Sequence, residues 1–141
     1  MDLNFDNEVK LGIAEGTEIE EAVDMNFDGE TEEVGLYLAM ARQAQREGYP
    51  EVAEVLKRIA LEEAEHAAQF AELNGKISDS TEENIKGMLK GEKGASNGKK
   101  GAADEADKLG LEQAASLFNE SSRDEARHAQ MLEGILERYF E

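Results

Sequence analysis

An E-x-x-H unit occurs twice in this chain, first from Glu63 to His66 and again from Glu125 to His128. A further glutamate precedes each copy by the same interval, Glu30 before the first and Glu92 before the second. All three members of the set therefore recur at one constant offset, which we call the internal repeat. Self-similarity at a fixed offset is typical of a chain that folds into two similar units. Four carboxylates and two imidazoles in this register predict a two-metal site with approximate twofold symmetry.

The sequence around the repeat has the pattern of four α-helices connected by short turns. Apolar residues recur at helical spacing, and capping boxes at Thr17 and Ser80 mark two helix starts. Gly48 and Gly110, which are related by the offset of the internal repeat, are placed to end the first and third helices. The predicted helices run from Thr17 to about Glu47, from Pro50 to about Leu73, from Ser80 to about Lys108 and from Leu111 to about Tyr139.

Two similar helical hairpins predict an all-α fold, a four-helix bundle built from the duplicated hairpins. The E-x-x-H units with their upstream glutamates resemble the ligand pattern of ferritin-like di-metal bundles. A length of 141 residues fits one domain with a real core. We therefore expect a single domain over residues 1–141. Its predicted parts are an N-terminal extension at 1–16, a first hairpin at 17–73 and a second hairpin at 81–140.

Charge, hydropathy and cysteine count exclude several classes of site. A formal net charge of −18 would repel a phosphate backbone, so nucleic acid is not expected as a partner. No apolar run reaches the length of a membrane span, and residues 1–10 lack the pattern of a signal peptide, so we expect a cytoplasmic protein. Because the chain has no cysteine, any metal must be held by carboxylate and imidazole, which suit iron, manganese or zinc.

Helix geometry brings the residues of each E-x-x-H unit together. Positions i and i+3 lie one turn apart on one helix face, so the glutamate and the histidine can reach one inward point. An inward glutamate from each of helices 1 and 3 completes six ligands for two divalent cations. A single such unit is usually incidental, and a purely structural acidic bundle would bind no metal. However, the only two histidines of the chain both occur in these units, and four buried carboxylates require counter-charge.

Helix 3 carries two further patterns, each open to two interpretations. Five glycines at spacings of four and three residues share one helix face. Either this face allows a neighbouring helix or a small substrate to approach the backbone closely, or it simply needs small residues for packing. They are Gly87, Gly91, Gly94, Gly98 and Gly101. Five nearby lysines are either a solvated face or a docking patch for an acidic electron donor. They are Lys86, Lys90, Lys93, Lys99 and Lys100.

From about Thr17 onwards the chain resembles rubrerythrin, specifically its di-iron domain. The resemblance lies in Gly29-Glu30, Arg46-Glu47-Gly48-Tyr49, Glu63 with His66, Gly91-Glu92, Gly110, and Glu125 with His128. By this resemblance Glu30 and Glu92 are terminal ligands on opposite metals. Glu63 and Glu125 are implied to be bridging carboxylates, and the two histidines complete the coordination spheres.

The resemblance implies a di-iron peroxidase that reduces hydrogen peroxide to water under oxidative stress. Its cofactor would be two iron ions per site, which manganese or zinc could replace. Rubrerythrins usually carry a rubredoxin domain with four cysteines, and this chain has none, so we expect an external rubredoxin-like electron donor. Two alternatives stay open, namely an oxidase or ferroxidase that uses dioxygen, and an iron-binding or storage protein without turnover.

Rubrerythrins usually have a seventh ligand, a glutamate three residues after the helix-3 ligand that exchanges with a histidine as the redox state changes. That position is Ala95 here, and its counterpart in the first copy of the internal repeat is Glu33. We therefore hypothesise that Glu33 is the switching ligand for the metal held by the second copy; alternatively, it is a solvated helix residue. Tyr37, seven residues after Glu30, is expected to hydrogen-bond a ligand carboxylate or to belong to the core.

The connection between the two predicted hairpins is short. In a closed bundle the chain must climb back along helix 2 and step sideways to begin helix 3, a path of roughly 35–40 Å. Residues 74–80 span at most roughly 25 Å when fully extended. Either the helix ends fray, or the hairpins belong to different bundles. We predict a domain-swapped homodimer, in which each site takes one ligand set from each chain.

Overall fold

The computed structural model describes residues 10–140 as four α-helices, with no β-strand in that range. The helices are α1 (Glu20–Arg46), α2 (Pro50–Leu73), α3 (Thr81–Lys108) and α4 (Glu112–Tyr139). The chain divides after Asp79 into two compact units. In the first, which we call hairpin 1, α1 packs on α2; in the second, hairpin 2, α3 packs on α4. The predicted all-α fold of two helical hairpins is confirmed, and the single domain stays a prediction.

One of the two predicted capping boxes is confirmed, and the other is wrong. The Ser80 hydroxyl oxygen accepts a hydrogen bond from the backbone N–H of Glu83 (3.3 Å) at the start of α3. At the start of α1 the N-cap is Ile19, which makes no side-chain capping bond. The Thr17 hydroxyl instead donates to the carbonyl oxygen of Ala14 (2.6 Å). Thr17 therefore belongs to a turn that precedes the helix.

The two hairpin turns are built alike, as the internal repeat predicts. Gly48 and Gly110 have φ angles of 85° and 72°, in the left-handed region where glycine carries no steric penalty. In each turn the residue after the glycine donates its N–H back to an alanine carbonyl near the helix end. The two bonds are Tyr49 to Ala44 (2.8 Å) and Leu111 to Ala106 (2.9 Å). Pro50 then opens α2, where its missing N–H costs no helical hydrogen bond.

The contact between the helices of each hairpin is a seam of small side chains, which we call the alanine seam. Its buried residues are Ala41, Ala44, Ala53, Ala60 and Ala67 in hairpin 1, and Ala103, Ala106, Ala115, Ser122 and Ala129 in hairpin 2. The second set occupies the positions that correspond to the first set in the internal repeat. On α2 and α4 the seam residues recur every seven positions, the period at which one helix face stays against a partner. Small side chains allow the two backbones to lie close together.

The residues before α1 are attached to the end of α2. The backbone N–H of Gly12 donates to the carbonyl oxygen of Glu72 (2.8 Å), and that of Ala14 donates to Leu73 (2.9 Å). The Ala14 side chain is buried. Residues 10–16 of the predicted extension thus belong to hairpin 1, and residues 1–9 lie outside the described part of the chain.

A polar cluster around Asp24 joins the start of α1 to the chain that follows α2. Asn74 donates its side-chain N–H to the Asp24 carboxylate (2.9 Å) and to the carbonyl oxygen of Glu20 (2.9 Å). Lys76 forms an ion pair with the same carboxylate (2.8 Å). The hydrogen bond from Lys76, followed by that from Asn74, lowers the pKa of Asp24 below its usual value.

Large apolar side chains remain exposed on both hairpins. In hairpin 1 they include Leu36, Met40, Val52 and Val55, and in hairpin 2 Leu109, Leu117 and Met131. The five glycines of α3 are exposed as well, and a Cβ added at any of them would meet no atom within 4 Å. The glycines are therefore not needed for packing against α4. None of the helices in the described range is long and apolar enough to cross a membrane.

The alanine seam predicts a steric effect of enlarging one of its residues. Ala53 is completely buried, so Ala53→Leu should destabilise the protein by about 1–3 kcal/mol through overpacking. Ala68 lies on the same helix and is exposed, so Ala68→Leu should change the free energy of unfolding by less than about 0.5 kcal/mol. Urea denaturation followed by circular dichroism measures both values. Equal effects of the two substitutions would show that the seam is not tightly packed.

Candidate metal centre

Hairpin 1 brings Glu30 of α1 together with Glu63 and His66 of α2, a set that we call the first triad. One oxygen or nitrogen atom from each residue lies within 4.8 Å of the others. The Nδ1 atom of His66 is 2.9 Å from Glu63 Oε2 and 3.8 Å from Glu30 Oε2. Both carboxylate side chains are largely buried, whereas the imidazole is about half exposed.

Hairpin 2 builds the second triad from Glu92 of α3 with Glu125 and His128 of α4. Its candidate ligand atoms also lie within 4.8 Å of one another. The Nδ1 atom of His128 is 3.2 Å from Glu125 Oε2 and 3.6 Å from Glu92 Oε2. The two triads therefore match in residue type, helix position and approximate distances, as the internal repeat predicts.

The alanine seam positions the first triad. Glu63 and His66 lie between the buried residues Ala60 and Ala67, so their side chains emerge beside the line where α2 meets α1. Glu30 approaches that point from the opposing helix. Because the seam residues are small, a glutamate side chain is long enough to bridge the gap between the helices.

Hydrogen bonds within the first triad shift the pKa values of its three members. A hydrogen bond with Glu63 is the main reason why the pKa of Glu30 is raised, followed by desolvation, with the charge of Glu33 making a smaller contribution. The pKa of Glu63 is lowered by its hydrogen bonds with Glu30 and then His66. The pKa of His66 is raised chiefly by its hydrogen bond with Glu63.

The chemistry of the two donor sets fits a divalent cation. Each triad offers two carboxylates and one imidazole, which are ligands for iron, manganese and zinc. The donor atoms are close enough for small rotations of side chains to bring them onto one ion. Whether the carboxylates act as terminal or bridging ligands stays a prediction from the resemblance.

The second triad has a neighbour that sequence reasoning missed. Lys99 of α3 contacts the Glu125 carboxylate, and its ammonium donates to the Ser121 hydroxyl oxygen (2.8 Å). Lys99 is one of the five lysines expected on a solvated face or in a docking patch, but its side chain is only about one-third exposed. Two other lysines of that patch form ion pairs within hairpin 2, Lys86 with Glu82 and Lys93 with Glu133. The sequence contains a signal for this contact, because Lys99 follows Glu92 by seven residues and therefore lies on the same face of α3.

Glu33 and Tyr37 lie one and two turns beyond Glu30 on α1. They line a shallow surface depression together with Leu36 and Met40, and Glu33 is exposed while Tyr37 is half-buried. Glu33 is not among the residues whose ligand atoms meet in the first triad. Its role as a switching ligand, and the role of Tyr37 as a hydrogen-bond partner of a ligand carboxylate, therefore stay predictions.

Comparison with known proteins adds an independent line of support. The rubrerythrin family model matches residues 21–98, which include the first triad and Glu92. The chain is 64% identical over 140 residues to an uncharacterized protein of Methanocaldococcus jannaschii, covering 99% of both chains. It is 51% identical over 137 residues to reverse rubrerythrin-1 of Clostridium acetobutylicum, covering 95% of this chain and 76% of that protein. The resemblance inferred from the sequence is confirmed.

The first triad predicts opposite effects of one substitution on stability and on metal binding. Glu30→Gln removes one of two neighbouring carboxylates, so the metal-free protein should have a higher Tm. The same change should weaken Zn²⁺ or Mn²⁺ binding by at least about tenfold. Thermal melts and calorimetric titrations measure both effects, and Glu32→Gln, at an exposed neighbouring position, is the control. Unchanged metal affinity in Glu30→Gln would mean that Glu30 is not a ligand.

Proposed function

The chain belongs to the rubrerythrin family of di-iron oxidoreductases, and from this premise we propose that it is a peroxidase that reduces hydrogen peroxide to water. The observation that carries the proposal is the pair of matching Glu-Glu-His triads. Two triads supply four carboxylates, whose charge balances two ferrous ions. A site of this composition suits the two-electron reduction of a small oxidant.

The proposed reaction balances as hydrogen peroxide plus two electrons and two protons giving two molecules of water. When bound, the two iron ions would each supply one electron. The residues of the chain would hold the ions in place, with Glu30, Glu63 and His66 at one position and the second triad at the other. The side chains of the triad carboxylates are mostly buried, which limits the access of bulk water to them.

We propose that electrons come from an external rubredoxin-like protein. The chain contains no cysteine, so its own residues cannot form an iron site with four thiolates. This donor would supply the two electrons that each turnover consumes. A role in the cytoplasmic response to oxidative stress fits such a cycle.

The peroxidase proposal is tested by the choice of oxidant. Protein loaded with ferrous ions without oxygen should be oxidised faster by hydrogen peroxide than by dioxygen, and a reduced rubredoxin should sustain turnover. Stopped-flow absorbance measures the rates. Faster oxidation by dioxygen would favour an oxidase or ferroxidase, and full iron loading without turnover would favour iron binding or storage.

A matched pair of variants connects this activity with the triads. Glu63→Gln should lower the peroxidase rate by about 100-fold or more, because it removes a candidate ligand. Glu65→Gln changes the same residue type two positions away, at an exposed site, and should leave the rate unchanged. Equal rates in both variants would contradict the proposed site.

We further propose that the protein is a domain-swapped homodimer. In this assembly hairpin 1 of one protomer packs on hairpin 2 of its partner, and each site takes one triad from each chain. The connection of residues 74–80 between α2 and α3 is as short as predicted. The exposed apolar side chains of both hairpins and the glycine face of α3 supply surfaces that such packing would cover.

Mixing two inactive variants tests the swap. His66→Ala disables the first triad and His128→Ala the second. In a swapped heterodimer, one of the two sites combines intact triads from the two chains, so co-refolding should restore about a quarter of the sites by random pairing. Activity of the mixture and light scattering after size exclusion are the measurements. A monomer, or a dimer without complementation, would contradict the proposal.

A further inference from the structure

The second triad has polar neighbours that the first lacks, namely Lys99 and Ser121, which both contact Glu125. The ammonium group of Lys99 reaches across from α3 to the carboxylate of Glu125 on α4 and also binds the hydroxyl of Ser121. The Glu125 side chain is 15% exposed, and that of Lys99 is 32% exposed. The ion pair is therefore shielded from solvent more than an ordinary surface pair and is weakened less by salt.

The internal repeat shows that this contact belongs to hairpin 2 alone. In the first copy, the counterpart of Lys99 is Tyr37 and the counterpart of Ser121 is Ile59. Neither can supply a positive charge. Among residues 10–140, no lysine or arginine forms an ion pair with Glu30 or Glu63.

Polar contacts along the seam of hairpin 2 hold Lys99 in register with Glu125. The Ser96 hydroxyl donates to the carbonyl oxygen of Ser122 (2.9 Å), and the Ser122 hydroxyl donates to the carbonyl oxygen of Ser96 (2.8 Å). These reciprocal bonds connect α3 and α4 about one turn from the lysine. The corresponding positions in hairpin 1 are Val34 and Ala60, which cannot make such bonds.

Building on the proposed metal centre, we propose that Lys99 is a positioning residue that makes the two metal positions unequal, so that the first triad binds its ion before the second. A cation at the second triad must take Glu125 from the ammonium or share it. In either case it meets two carboxylates and a nearby positive charge, whereas the first triad offers two carboxylates without an ammonium contact. Like charges repel, so the second ion should be held more weakly.

The two histidines allow each metal position to be observed separately. They are the only histidines of the chain, and each belongs to a different triad. When Zn²⁺ is titrated into metal-free protein, the imidazole NMR signals of His66 should change with the first equivalent and those of His128 with the second. The expected ratio of the two dissociation constants is about tenfold or more.

Substitution of Lys99 tests the cause of this order. Lys99→Met keeps a long unbranched side chain without the charge. It should lower the dissociation constant of Zn²⁺ at the second triad by about 10–100-fold, which brings the two dissociation constants closer together. Lys99→Arg keeps the charge and should preserve the order. Lys100→Met removes the neighbouring exposed lysine and should have no effect. If Lys99→Met loses its helical circular dichroism, Lys99→Gln serves the same purpose.

Three outcomes would overturn the inference. They are simultaneous changes of both imidazoles in the natural protein, earlier changes at His128, and an unchanged affinity ratio in the Lys99 variants that lack the charge. Two bound ions with equal affinity would refute ordered loading while leaving the metal centre intact. No change of either imidazole at saturating Zn²⁺ would instead refute the metal centre itself, so the two failures are distinguishable.

Discussion

The close approach of two carboxylates across a helix pair is the constraint on which the rest of each hairpin depends. Glu30 and Glu63 approach each other closely enough that the pKa of one is raised and that of the other is lowered. Such an arrangement opposes folding unless a proton or a cation compensates for the charge. A chain selected only for stability would separate these groups, whereas their closeness suits ligands of a cation.

The alanine seam is the structural counterpart of this constraint. Larger residues at Ala60 or Ala67 would move α2 away from α1, and the three side chains of the first triad would no longer reach one point. The seam buries little apolar surface, because the alanine side chain is small. The larger apolar residues lie elsewhere on the hairpin and are exposed within it. The alanine seam and the large apolar side chains thus occupy different faces of the same helices.

Features that depend on residues close together in the sequence, or on the internal repeat, could be predicted, whereas other side-chain contacts between helices could not. Helix positions, the Gly48 turn and the triads follow from local spacing and from a repeat, and these features agree with the structure. Family membership also confirms the predicted all-α, ferritin-like fold class. The capping box predicted at Thr17 is wrong, because a local motif does not reveal that the hydroxyl donates instead to the carbonyl oxygen of Ala14. Lys99 was missed because the partner of a long, flexible side chain depends on the neighbouring helix.

Two departures from the internal repeat lie next to the triads and act in one direction. Hairpin 1 has Glu33 where hairpin 2 has Ala95, which adds a carboxylate one turn from the first triad. Hairpin 2 has Lys99 where hairpin 1 has Tyr37, which adds an ammonium against the second triad. Both differences make the surroundings of the first triad more negative than those of the second. Since each is fixed within its own hairpin, the electrostatic difference between the triads follows from the sequence of each hairpin alone.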